Sequence, residues 1–198
     1  MNNSVLGILG FFIVHLSDYI SLKRIPLLKP IVWILGCGVL IYALVKICGM
    51  SEKFSFPVWL VGLGWFLLTM SLIALFYSLF INLPFRKTYI RRGFGDKLIK
   101  TGFYTIVRHP GVPFFIIFML TLLIISGSKE LLIVAPIYIL VDILLVIVQD
   151  KIFFPRMFTG YVIYQQETPM LVPNRRSINA FIQSLRQTKT KNGLTGGI

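Results

Sequence analysis

Leu131-Leu132-Ile133-Val134-Ala135-Pro136-Ile137-Tyr138-Ile139-Leu140-Val141-Asp142-Ile143-Leu144-Leu145-Val146-Ile147-Val148 carries a single charge, and Gln149-Asp150-Lys151 closes it. A bilayer core needs about 20 apolar residues per helix, and tilt or interfacial anchors tolerate somewhat fewer. The stretch reads as a membrane span with a carboxylate inside it, and intramembrane carboxylates are costly enough to be functional candidates by default. Immediately upstream, Gly127-Ser128-Lys129-Glu130 is a tight turn, preceded by the shorter apolar run Val112–Ser126, so the two runs predict a helical hairpin. Three more runs, Val5–Leu22, Pro30–Cys48 and Phe56–Ile81, qualify in the same way. The predicted fold is an all-α, multi-pass membrane protein of about five transmembrane helices, with cytoplasmic loops and a C-terminal amphipathic helix.

Composition agrees. An apolar share of 56% against 14% charged residues is too greasy for a soluble domain of this length. The basic residues predict the orientation. Lys23, Arg24 and Lys29 follow the first run; Arg86, Lys87, Arg91, Arg92, Lys97, Lys100 and Arg108 follow the third; Lys151, Arg156, Arg175, Arg176, Arg186, Lys189 and Lys191 follow the fifth. The alternate loops hold only Lys46, Lys53 and Lys129, so the positive-inside rule predicts an outer N-terminus and a cytoplasmic C-terminus. No Lys or Arg precedes the first run and no small-residue cleavage site ends it, which argues against a signal peptide. The net charge of +13 is split among membrane-flanking loops, which suits anionic headgroups and makes nucleic acid an unneeded partner. Cys37 and Cys48 share one helix face about 16 Å of rise apart, too far to bridge, and no Cys or His spacing suggests a metal.

Residues 1–82 read as a three-span scaffold, 83–173 as a cofactor-binding catalytic half with two spans, and 174–198 as a basic, flexible tail. Gly36, Gly38, Gly62 and Gly64 are small residues that let membrane helices approach closely. Trp33 and Trp59 suit interface anchoring. His15 and Asp18 are three apart and can pair across a turn, a structural role in this reading since no nucleophile accompanies them. No internal repeat of the kind inverted-repeat transporters carry is visible. Phe153, Phe154, Met157, Phe158, Tyr161 and Tyr164 recur at helical spacing and predict one amphipathic helix, with Pro155 in its first turns. Ile178, Phe181, Ile182 and Leu185 mark a short interfacial helix, and Gln187–Ile198 reads as disordered.

Chemistry concentrates at the mouths of the last two runs. Gly93-Phe94-Gly95 lacks the third glycine and the strand–helix setting of a dinucleotide fingerprint. Arg108-His109-Pro110 is stronger: a proline suits a helix start, where unpaired N–H groups and a partial positive charge attract a carboxylate. A guanidinium there can bind a carboxylate through two hydrogen bonds. Gln149-Asp150 closes the fifth run on the same side, and an acid at a helix C-terminus opposes the helix dipole, so Arg108, Lys151 or a cationic ligand must offset it. Asp142 lies about two turns upstream of the pair, nominally on the same face.

The arrangement Lys97-Leu98-Ile99-x-x-Gly102-x-Tyr104-x-x-x-Arg108-His109-Pro110, then the acidic pair, Tyr161-x-x-Tyr164 and Thr168-Pro169-x-Leu171-Val172-Pro173, resembles the isoprenylcysteine carboxyl methyltransferase and phospholipid methyltransferase family. It covers roughly residues 96–173. The resemblance implies S-adenosylmethionine as cofactor, membrane lipids and a hydrophobic methyl acceptor as partners, and cofactor contacts at Lys97, Leu98, Ile99, Gly102, Tyr104, Arg108, His109, Pro110, Gln149 and Asp150. Arg108 and Asp142 are the catalytic candidates, and Tyr161 and Tyr164 the substrate-side ones. The family usually carries Glu-Glu where this chain has Gln149-Asp150, and Tyr and Gly where it has Val112 and Phe114. Leu145 replaces the arginine that holds a prenylcysteine carboxylate, which argues against that acceptor. The alternative is a non-catalytic membrane protein of the same fold that has lost its cofactor.

Overall fold

The computed structural model describes residues 2–23, 25, 28–83 and 98–195, with the backbone alone for 187–195. Lys97, Gly93-Phe94-Gly95 and the loop cations Arg24, Arg86, Lys87, Arg91 and Arg92 lie outside the described residues. Nine α-helices follow in order among the described residues: α1 Asn3–Leu22, α2 Leu28–Met50, α3 Val58–Phe76, α4 Phe103–Ile106, α5 Gly111–Ser126, α6 Lys129–Val148, α7 Phe154–Met157, α8 Tyr161–Glu167 and α9 Arg175–Thr195. They include no strand, only one isolated bridge from Lys53 to Ser128. The molecule is all-α.

Four helical stretches are long and apolar enough to cross a bilayer: Asn3–Leu22, Leu28–Met50, Val58–Asn82 and Lys129–Met157. Their lipid-type surface is outward, with Ile31, Ile34, Phe66, Ile73, Ile133 and Leu140 all exposed. The fourth expected span, α5, has 16 residues, about 24 Å of rise, and is shorter than a full crossing. Its hairpin with α6 is built as the sequence suggests. Gly127 ends α5 in the left-handed region (φ 59°), and Ser128 caps α6 by accepting the Leu131 N–H at 3.1 Å. The Ser128 hydroxyl also donates to the Ile47 carbonyl at 3.0 Å, tying the turn to α2.

Gly36 earns its place at the α1–α2 crossing, where an added Cβ would lie 2.6 Å from the Val14 backbone nitrogen. Gly64 similarly admits Ile125 of α5. Gly38 and Gly62 were expected to do the same and do not, since a Cβ on either meets nothing within 4 Å. The core collects Phe11 of α1, Leu44 and Ile47 of α2, Met119 of α5, and Leu131, Val134, Ala135 and Tyr138 of α6.

Two further expectations are corrected. The aromatic stripe from Phe153 is two helices, not one: Gly160 in the left-handed region (φ 79°) breaks it between α7 and α8. The segment past Gln187, read as disordered, continues α9 to Thr195, because no proline interrupts the register set at its start. Trp33, near the start of α2, packs edge-on against Phe80, with ring centroids 5.6 Å apart.

Candidate functional site

Arg108 and His109 occupy the extended link between α4 and α5, and that link is held by backbone as well as side chain. The Arg108 N–H donates to the Pro169 carbonyl (2.9 Å) and the His109 N–H to the Met170 carbonyl (3.2 Å). The two motifs that stand about sixty residues apart in sequence are thus laced together. The guanidinium then turns inward. Its Nε donates to Asp150 Oδ1 and its Nη2 to Asp150 Oδ2, both at 2.8 Å. Nη1 donates to the Gln165 carbonyl at 3.1 Å and to the Thr168 carbonyl.

Asp150 reaches this position because α6 ends in a π-helical turn, Gln149–Phe153. An i→i+5 turn re-aims the residues that follow it, and such turns recur at functional sites. Asp150 therefore leaves the Asp142 face expected of it. Its carboxylate also receives His109 Nε2 (3.0 Å), the Tyr161 hydroxyl (2.6 Å) and Gln165 Nε2 (3.1 Å). A carboxylate has about four lone-pair sites, so five donors saturate it. Arg108 and Asp150, expected to divide a ligand between them, answer each other. Both are buried, and Asp150 does not border the cavity described below.

The electrostatics follow. Burial alone would lower the Arg108 pKa, but the Asp150 hydrogen bonds and charge outweigh it and hold the pKa above its ordinary value. Burial, then Asp150, pushes the Tyr161 phenol well above its usual range. His109 goes the other way: burial lowers its pKa below 6.5 despite the Asp150 hydrogen bond. Its neutral ring stacks on Phe154 (5.5 Å, 13°) with Nε2–H directed at Asp150. A histidine whose folded pKa is depressed contributes stability that is complete above about 6.5 and is lost as pH falls through the folded value. Melting temperature should accordingly drop on acidification below about pH 6.5. His109→Gln should flatten that limb; an unchanged limb would place the sensitivity elsewhere.

Above this latch lies a cavity of about 400 Å³. Of the sequence candidates, Leu98, Ile99, Tyr104, Arg108, His109, Pro110, Asp142, Gln149, Tyr161 and Tyr164 line it. Gly102 does not. It sits at φ 60° before α4, where a Cβ would collide with Asn82 Oδ1, and so lets α4 approach the π-helical segment Tyr77–Asn82 that follows α3. The Tyr104 hydroxyl donates to the Ser78 carbonyl at 3.3 Å, and the Tyr164 hydroxyl donates to the Tyr104 carbonyl.

The opposite wall comes from helices expected to be scaffold. His15 and Asp18 of α1 and Lys29 and Trp33 of α2 all line the cavity. Gln149 Nε2 donates to Asp18 Oδ2 at 2.6 Å. His15 stands between two carboxylates, with Nδ1 3.5 Å from Asp18 Oδ2 and Nε2 4.0 Å from Asp142 Oδ1. The first is close enough for an ion pair but not aligned as a hydrogen bond, and Nδ1 is a buried nitrogen with no hydrogen-bond partner. The sequence signal was present in two polar residues one turn apart in an apolar run. What it lacked was their meeting with Asp142. No group of His, Cys, Asp or Glu among the described residues is arranged to hold a metal.

Comparison with known proteins brings no match: no family model fits the chain, and no curated protein or solved structure is similar to it.

Proposed function

We propose that the chain is an integral-membrane methyltransferase that passes a methyl group from S-adenosylmethionine to a lipid-like or small hydrophobic acceptor. The observation that carries the reading is the cavity. Its size falls in the range of small-molecule and cofactor sites, about 300–1,000 Å³. Apolar faces of Phe11, Leu40, Leu75 and Phe115 meet the motif residues Leu98, Ile99, Tyr104, Pro110 and Gln149 around one space. A hydrophobic acceptor and a polar cofactor need such a shared chamber.

The residues present fit the cofactor. The buried, unpartnered His15 Nδ1 and the Asp18 carboxylate suit an ammonium and ribose hydroxyls. The Tyr104 and Tyr164 rings suit a sulfonium, since aromatic faces attract cations. When bound, the cofactor supplies a methyl activated for in-line displacement, which needs alignment and a water-poor site rather than a covalent enzyme intermediate. The chain contributes both: Phe115, Val112 and Val146 exclude water, while Asp142 faces the acceptor side. Arg108 and Asp150 become positioning residues that fix the floor. Gln149 stands where the resembled family has Glu, and Asp18 explains it: a Glu would set two carboxylates face to face at the 2.6 Å contact. The orientation in this reading has the N-terminus outside and the C-terminus cytoplasmic, following the loop charges.

The saturated Arg108–Asp150 pair favours a second reading, a non-catalytic lipid-binding protein of the same architecture. Incubating the purified protein with methyl-labelled S-adenosylmethionine and a total membrane lipid extract separates them. The methyltransferase reading expects label in an organic-soluble product, reduced about a hundredfold or more in Asp142→Asn, the low end of typical acid–base contributions. No protein-dependent label, the outcome that the second reading expects, contradicts it, and so does label insensitive to Asp142→Asn.

A further inference from the structure

The C-terminal helix α9 leaves an apolar stripe uncovered. Ile178, Ile182 and Leu185 are 43%, 41% and 51% exposed, and Phe181 is half-buried beside them. At 100° per residue the four fall within an arc of about 100° on the helix surface. Arg175 and Arg186, both exposed, fall at one margin of that arc, and Arg176 is exposed further round. Arg175, Arg176, Arg186, Lys189 and Lys191 are the charges from residue 168 to the end of the chain, with no Asp or Glu among them. A stripe this narrow, with cations as the sole charges around it, matches a helix lying in a bilayer surface.

The start of α9 is fixed, so the stripe has a set direction. Ser177 N–H donates to Asn174 Oδ1 at 2.8 Å and Asn174 N–H to Ser177 Oγ at 3.2 Å, a reciprocal cap. The helix packs against α4, which immediately precedes the first turn of α5, so it emerges at the level where the apolar helices begin. The sequence 84–97 is an unsuitable cover on charge, because its Arg86, Lys87, Arg91, Arg92 and Lys97 against Asp96 make it basic too.

We propose that α9 docks on the anionic headgroups of the membrane in which the bundle sits, its apolar stripe in the acyl boundary and its arginines on lipid phosphate and carboxylate groups. The proposal does not depend on methyl transfer.

Hydrogen–deuterium exchange of the full chain in nanodiscs tests it, comparing neutral phosphatidylcholine with phosphatidylcholine plus phosphatidylglycerol. Amides of α9 should exchange at least about tenfold more slowly in the anionic discs, given the attraction of each basic residue to such a surface. Salt near 1 M, where the Debye length is about 3 Å, should remove most of that difference. Arg175→Gln/Arg176→Gln/Arg186→Gln should abolish the anionic preference, and Ile178→Ser/Ile182→Ser/Leu185→Ser should abolish protection in both discs. Melting temperatures of the bundle should not move in either variant, because the substituted side chains are exposed. Equal protection in neutral and anionic discs, or protection that rises with protein concentration and so reports a second copy, overturns the proposal.

Discussion

Arg108→Ala should destabilise the protein by about 3–5 kcal/mol, the usual consequence of removing one partner from a buried ion pair. The substitution leaves Asp150 buried, 3% exposed, with its two strongest donors gone. It also strips a donor from the Gln165 and Thr168 carbonyls, which orient the end of α8. Asp150→Ala should cost a similar amount, because a buried guanidinium is then stranded. The double variant should fall well short of the sum of the singles, since removing both charges relieves the unpaired one. Melting curves in detergent for the two singles and the double measure this coupling. Singles that melt like the native protein would mean that the pair does not organise the floor of the cavity.

Gly36→Ala should disrupt the α1–α2 crossing. The added carbon would lie 2.6 Å from the Val14 nitrogen and 3.0 Å from the Gly10 carbonyl oxygen, so backbone must move. Overpacking of this kind costs about 1–3 kcal/mol. It should also weaken ligand binding, because α1 carries His15 and Asp18 into the cavity wall. Gly38→Ala and Gly62→Ala serve as matched controls. Each Cβ meets open space, so each should stabilise by about 0.5–1 kcal/mol through helix propensity. The opposite ranking in thermal melts would show that α1 and α2 do not cross where described.

The four glycines show where sequence reading stops. Their residue type announces close helix approach, but only the crossing points decide which of them is used, and crossing points depend on the whole bundle. The helices themselves were legible because an apolar run in lipid has few alternatives: every backbone group must be satisfied within it. The α5–α6 turn was legible for the same local reason, with Gly127 and Ser128 supplying cap chemistry that needs no distant partner.

The site was legible as a set of residues and not as a set of contacts. Most of the motif residues meet around one cavity. Periodicity places Asp142, Gln149 and Asp150 near one helix face, whereas the π-helical turn sends Asp150 to Arg108 and leaves Gln149 with Asp18. A change of winding has no signature in residue spacing. His15 was undervalued because its chemistry lies in Asp142, over a hundred residues later. The aromatic stripe kept helical spacing through Phe158, and only the left-handed Gly160 marks the break into α7 and α8.

Titration calorimetry of the detergent-purified protein with S-adenosylhomocysteine and S-adenosylmethionine tests the central claim most directly. The account predicts saturable one-site binding of both, with Kd below about 1 mM, that is, stronger than about −4 kcal/mol. His15→Ala and Asp18→Asn should weaken it in protein that still unfolds cooperatively without ligand. No heat of binding at millimolar ligand, from protein shown by its melting curve to be folded, would contradict it.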